Sequence, residues 1–369
     1  MSGAALCIAG RLARGGRLVE GWVEVRRERV AAVGFGRPPR GSERHAGVVG
    51  HGLVDLQLNG AGGVEVTGGP AALDAIDRVQ LEHGVTSYLA TLISTFEGEA
   101  AAAVAELAER AADPSSPLAG VHLEGPFLAP EQRGVHRREC LALPSQGEPA
   151  YYRSPAVRLV TVAPELPGAL ELVAQLVRRG VAVSLGHSGA SAADAARAAA
   201  CGARSVTHLF NAMKPFHHRS PNLAGWALAE PRVRVGLIAD GFHVDRLALR
   251  LVARLARRRV VLVSDASPAA GAGDGRFRMA GVEIEAEGGR VQDTRGELAG
   301  SSLTLDEAVR RYSALAGVPL AEALQAASER PARLVGLPGG LRAGAPANLV
   351  LLDERGRVER VMRRGAWLG

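Results

Sequence analysis

The sequence predicts an α/β protein: a (β/α)8 TIM-type barrel with a small β-sandwich built from both chain ends. Three observations predict it. Apolar, β-type runs recur eight times, at 52–58, 85–91, 118–124, 157–163, 181–186, 204–208, 233–239 and 259–265. Ala- and Leu-rich stretches of helical period lie between them, at 71–83, 97–112, 167–179, 191–200 and 244–258. Several runs also stop abruptly at a residue suited to chemistry: Glu124, His187, His208, Asp240 and Asp265. In a parallel barrel all strand ends of one polarity meet on one face, where such folds build active sites.

The elements follow in order. The strand–helix alternation spans roughly 215 residues, against ~250 for a typical barrel of this type. A doubly wound open sheet rarely needs eight such strands, and no G-x-G-x-x-G follows the first run. Ser191 with Asp194 three residues later reads as a capping box. Gly84, Gly180 and Gly202 stand where helices should end. After the eighth strand comes a hairpin-like insertion, 276–291, then two helices at 304–315 and 319–329. The ends read differently. Short strands at 18–25, 30–34, 347–353 and 358–361 are divided by Gly and Arg. Neither end holds enough core alone, so residues 1–50 plus 339–369 are expected to form one small domain beside a catalytic barrel, 51–338.

Composition narrows the function classes. With 369 residues and 47% hydrophobic content, the chain can bury one large core and a smaller one. No apolar run approaches the ~18 residues of a membrane span. Arg and Gly interrupt the first segment too early for a secretory signal, and a cytoplasmic location is expected. Cys7, Cys140 and Cys201 form no C-x-x-C and are expected to be reduced thiols. The net charge of +6 comes from 44 basic residues, all arginine except Lys214, scattered along the chain. Aromatics are only 4%, too few for the stacking platforms of a nucleic-acid groove. Neither a nucleic acid nor a membrane is expected as a partner.

Glu124, His187 and His208 form the expected metal set. A catalytic zinc takes three protein ligands and keeps one position open. Imidazole and carboxylate suit Zn2+, and less strictly Fe2+, Co2+ or Mn2+. A single histidine at a barrel mouth is ordinarily a hydrogen-bonding residue. Three such residues on strands three, five and six make a site. Asp265, at the end of strand eight, can serve as general base and then acid, or it can simply cap the turn at Ser267-Pro268. The first strand carries Gln57-x-Asn59, which offers no imidazole for a second metal, so one ion per subunit is expected.

The chain resembles the N-acetylglucosamine-6-phosphate deacetylases of the amidohydrolase superfamily. The resemblance rests on VDLQLNG at 54–60, HLEGPF at 122–127, GHS at 186–188, THLFNAM at 207–213, ADGFHVD at 239–245, SDA at 264–266 and LAGSS at 298–302. It implies a metal held by Glu124, His187 and His208, with Asp265 as acid/base. It also implies that His136 binds and polarises the substrate amide. Asn211, the Ala212 backbone, Arg219 and His243 would hold the sugar phosphate, with Val135 and Asp240 as further substrate positions. Leu298, Ala299 and Gly300 would close over the acetyl group. A phosphorylated amino sugar as substrate and a homodimer are implied as well, the loop of Arg219 reaching a neighbouring subunit. His51, where the family usually has Pro, is expected to be a turn detail. Two other readings stay open: an amidohydrolase acting on another N-acyl or cyclic amide, and a silent barrel serving as a scaffold.

Overall fold

A computed structural model describes residues 5–368 of the protein. Its centre is a sheet of eight strands in sequence order: Leu53–Leu58, Val85–Ile93, Leu118–Glu124, Val157–Val162, Ala182–Leu185, Ser205–Val206, Arg234–Leu237 and Val260–Leu262. Every neighbouring pair is parallel. The sheet closes just past its first and last strands, where Leu58 bridges Ala266 and the Asn59 N–H donates to the Ala266 carbonyl at 2.8 Å. The result is a barrel. Leu53–Leu58 is buried at every position, as expected for strands covered on both faces.

The helices Pro70–Glu82, Glu97–Ala112, Ala169–Arg178, Ala192–Ala200 and Arg246–Ala256 follow strands one, two, four, five and seven. Ser191 caps the fourth of these: its hydroxyl accepts the Asp194 N–H at 3.2 Å, and Asp194 accepts the Ser191 N–H at 3.0 Å. Gly180, at φ 81°, closes the preceding helix in a left-handed turn.

Three differences from the sequence expectation have physical causes. A helix over Asn222–Ala229 was not expected, because Leu223, Ala224, Gly225 and Ala227 are all buried and leave no polar face to give it a period. The expected helix 319–329 is two, Leu320–Ala326 and Glu329–Leu334, broken at Ala327–Ser328. The insertion has a third strand, giving Gly275–Met279, Val282–Glu287 and Arg290–Asp293.

Both chain ends join in one seven-stranded sheet, ordered Ala366–Leu368, Val358–Arg363, Leu349–Leu352, Glu43–His51, Leu6–Arg14, Arg17–Arg26 and Arg29–Phe35. Ile8, Leu12, Val23, Val49, Leu351 and Met362 belong to its own core. The sheet curls until distant parts meet: Val30 N–H donates to the Ala345 carbonyl at 2.9 Å, and Ala347 N–H to that of Glu28 at 2.8 Å. Strand Glu43–His51 runs into the barrel through Gly52, where a Cβ would lie 2.1 Å from Thr86 Oγ1. His51 is therefore the last residue of a strand, buried between sheet and barrel, and not a turn residue. Among the described residues no helix is long and apolar enough to cross a membrane.

Candidate active site

The chemistry-bearing side chains leave the barrel at the C-terminal ends of its strands. Glu124 is the last residue of the third strand. His187 and His208 follow closely on Leu185 and Val206, and Asp265 on Leu262. At these last three the backbone enters the left-handed region, with φ of 49°, 25° and 48°. Such conformations cost roughly 1–3 kcal/mol each for a residue with a Cβ, and they cluster where a side chain must be aimed. Here each turn aims its side chain into a common cavity of about 430 Å³.

Glu124 Oε1 lies 3.2 Å from His187 Nε2 and 3.1 Å from His208 Nε2, and the two nitrogens are 3.1 Å apart. That triangle fits one face of a tetrahedral zinc site, whose edge is about 3.3 Å for bonds of about 2.0 Å. His187 Nδ1 faces the Gln132 carbonyl at 2.9 Å. A carbonyl only accepts, so Nδ1 carries the proton and Nε2 presents a lone pair to the centre. Burial works against the charge of Glu124, but the two imidazoles beside it hold its carboxyl well below the usual range. Gln57 Nε2 donates a further bond to Oε1 at 3.0 Å. The residues present fit a divalent cation.

His136 competes for the third ligand position by distance alone, since Glu124, His136 and His187 each offer an atom within 4.8 Å of the others. Its bonding argues against that role. Nδ1 accepts the Ser94 N–H at 3.1 Å, while Nε2 stands 3.9 Å from Glu124 Oε2. Burial lowers its pKa to about 3, so the ring is neutral. A neutral imidazole that accepts at Nδ1 carries its proton on Nε2. His136 is a hydrogen-bond donor facing the cavity.

Burial, with the nearby charge of Glu124, raises the Asp265 carboxyl above its ordinary range. A raised value suits a group that takes a proton and returns it. Asn59 Nδ2 donates to its Oδ1 at 3.0 Å. Beneath the site runs a belt of polar side chains from five strands: Thr91, His122, Thr161, Thr207 and Ser184, joined in sequence at 2.7–3.2 Å. Burial lowers the pKa of His122 to about 4, leaving it neutral.

Of the other residues singled out in the sequence, Val135, Asn211, Ala212, His243, Leu298 and Gly300 line the same cavity. Asp240 sits behind His243 and accepts from its Nδ1 at 2.6 Å. Ala299 is buried, with its N–H given to the Val291 carbonyl. Arg219 lies outside the cavity of its own chain, on an exposed loop, with Nη1 3.1 Å from His218 Nε2. Sequence reasoning missed Ser94 and Gln132. Ser94 carried a signal: the second strand runs on to Ile93, so it too ends in a polar residue. Gln132 acts through its main chain and carried none.

The family model for the amidohydrolase family matches residues 70–368. The chain is 34% identical over 359 residues to N-acetylgalactosamine-6-phosphate deacetylase of Escherichia coli O157:H7, covering 94% of this chain and 95% of that one. It is 39% identical over 325 residues to human N-acetylglucosamine-6-phosphate deacetylase, covering 82% and 79%. Among solved structures, a mutant N-acetyl-D-glucosamine-6-phosphate deacetylase from Mycobacterium smegmatis, in complex with N-acetyl-D-glucosamine-6-phosphate, superposes with a TM-score of 0.93 at 34% identity, covering 99% of both chains. Fold, site geometry and these relatives agree: the chain belongs to the amidohydrolase family.

Proposed function

We propose that this protein is a metal-dependent deacetylase that hydrolyses N-acetyl-D-glucosamine 6-phosphate to D-glucosamine 6-phosphate and acetate. One observation carries the reading. A Glu–His–His set, a buried carboxylate and an imidazole donating from Nε2 face one cavity, in a chain 34–39% identical to deacetylases of hexosamine 6-phosphates.

Glu124, His187 and His208 hold the metal, taken here as one zinc ion per subunit. When bound, a divalent metal polarises the acetamide carbonyl and lowers the pKa of water. The remaining steps belong to the chain. Asp265 takes a proton from the attacking water and passes it to nitrogen as the C–N bond breaks. His136 donates from Nε2 to the carbonyl oxygen as negative charge builds there. Asn211, the Ala212 N–H and His243, oriented by Asp240, hold the sugar phosphate, and this remote binding energy orients the acetamide. Val135, Leu298, Ala299 and Gly300 form the wall around the acetyl group.

The exposed position of Arg219, outside its own cavity, supports a homodimer in which this loop serves the other subunit's site. The barrel, 51–338, is the catalytic domain, and 1–50 plus 339–369 the sheet domain. Three free cysteines suit a cytoplasmic protein. The test is acetate release from N-acetyl-D-glucosamine 6-phosphate, its 4-epimer and unphosphorylated N-acetylglucosamine. Turnover that depends on the 6-phosphate is expected. Turnover indifferent to the phosphate, or confined to N-acyl amino acids or cyclic amides, would move the chain to another amidohydrolase reaction.

A further inference from the structure

The cavity that holds the site has a neighbour. A second cavity, of about 460 Å³, adjoins it. Asn59, Ile93 and Met279 line both, so at these residues a single side chain separates the two. Asn59 is tied to Asp265, and Ile93 is a stiff, β-branched residue at the end of the second strand. Met279 is different. It ends the first strand of the insertion, is 4% exposed, and belongs to an apolar cluster with Ala299, against which Val135 packs. Val135 and Ala299 are two of the residues assigned above to the wall around the acetyl group. The main chain beside Met279 cannot retreat, because the next residue is held at both polar atoms. Ala280 N–H donates to Glu65 Oε1 at 2.8 Å, and the Ala280 carbonyl accepts from Arg137 Nη2 at 3.1 Å. The second cavity carries charged groups, Glu65 and Arg137 among them, but Val66, Leu92, Ala102 and Ala103 give it apolar surface as well.

We infer that Met279 is a specificity-determining residue: its side chain ends the acyl pocket at the length of an acetyl group and shuts off the cavity behind. The inference rests on the deacetylase reading above. An acyl chain longer than acetyl has to displace Met279, whose backbone is fixed and whose side chain is already packed. Overpacking of that kind is costly, because a close-packed wall yields only by straining its neighbours. Shortening the side chain to alanine removes Cγ, Sδ and Cε, about the bulk that a butyryl chain adds to an acetyl one. The two cavities then become continuous along the direction in which the acyl chain grows. The chemistry is unchanged; only the acid released is longer.

The experiment measures kcat/KM on the N-acetyl, N-propionyl and N-butyryl forms of D-glucosamine 6-phosphate. It compares the parent with Met279→Ala, and with Met279→Val in case the smaller residue does not fold. Ile284→Ala is the control, since Ile284 belongs to the same cluster but lines neither cavity. Melting temperatures are recorded for all. The parent should prefer acetyl to butyryl by about 100-fold or more, because one extra methylene in a closed pocket costs roughly 10–200-fold. Met279→Ala should raise the butyryl-to-acetyl ratio by about 10-fold or more, and Met279→Val should raise it by less. Ile284→Ala should lower the melting temperature and leave the ratio within about threefold of the parent. A general loss of stability lowers turnover of every substrate and does not move that ratio. A parent that takes butyryl as readily as acetyl would overturn the inference, as would a ratio unmoved in both Met279 variants. An equal shift in Ile284→Ala would overturn it too, by tracing selectivity to the insertion as a whole. Parent turnover of the N-acetyl substrate reports on the deacetylase reading itself, so the two can fail separately.

Discussion

Replacing His51 with leucine should remove a distinct share of the protein's sensitivity to mild acid. His51 is 4% exposed, and neither ring nitrogen has a side-chain hydrogen-bond partner among the described residues. Burial, helped by the nearby Arg342 charge, lowers its pKa from 6.5 to about 4. Between those two values the unfolded chain binds a proton that the folded chain refuses. Stability present above pH 6.5 is therefore lost as pH falls, and the loss levels off near pH 4. Linkage puts the whole effect at about 3 kcal/mol, of which about 2 kcal/mol is gone by pH 5. His122 and His136 are shifted in the same direction, to about 4 and about 3, but they are common to parent and variant and cancel in the difference. Urea midpoints for both proteins at pH 7 and pH 5 provide the assay. The parent should lose about 2 kcal/mol more than His51→Leu over that interval. Equal losses would mean that His51 finds a partner or solvent in the folded state, and the burial argument would fail.

Three further outcomes bear on the site. His208→Ala should lose both metal and turnover, and elemental analysis of the parent should find one tightly held divalent ion per chain; two catalytically required ions would refute the single-metal reading. Asp265→Asn should keep metal and substrate binding while kcat falls by roughly 10²–10⁴-fold, the range for a lost general base, and near-native kcat would require another base. Arg219→Ala should lower kcat/KM on the 6-phosphate by about 30-fold, roughly 2 kcal/mol for a charged hydrogen-bond pair, and leave activity on unphosphorylated N-acetylglucosamine almost unchanged. Equal losses on both substrates would place Arg219 in the support of its loop.

The barrel was legible because its signal is periodic and repeated. Glu124, His187, His208 and Asp265 each end an apolar run, and parallel topology alone brings such ends together. What the sequence hid was direction. Nothing in the residue types says that the main chain turns left-handed at His187, His208 and Asp265, or that a Gln132 carbonyl sets one ring's tautomer. Gln57 and Asn59 were legible as missing imidazoles. That their amides instead donate to Glu124 and Asp265 required coordinates. The strands Leu6–Arg14 and Glu43–His51 escaped because their apolar alternation is interrupted by Gly and Arg, and their pairing partners lie partly at the far end of the chain.

The polar belt under the site has a bearing on how the barrel finds its alignment. Strand six contributes only Ser205 and Val206 to the backbone ladder, too little to tell one register from the next. Thr207, just beyond, bonds to Ser184 on one neighbour and to Thr161 one strand further on. Sliding any of the five strands by one residue would turn its belt member outward and leave the others unpaired in a dry interior. The belt thus works as a vernier: short strands that could not index themselves are indexed by the side chains beneath the reaction they serve.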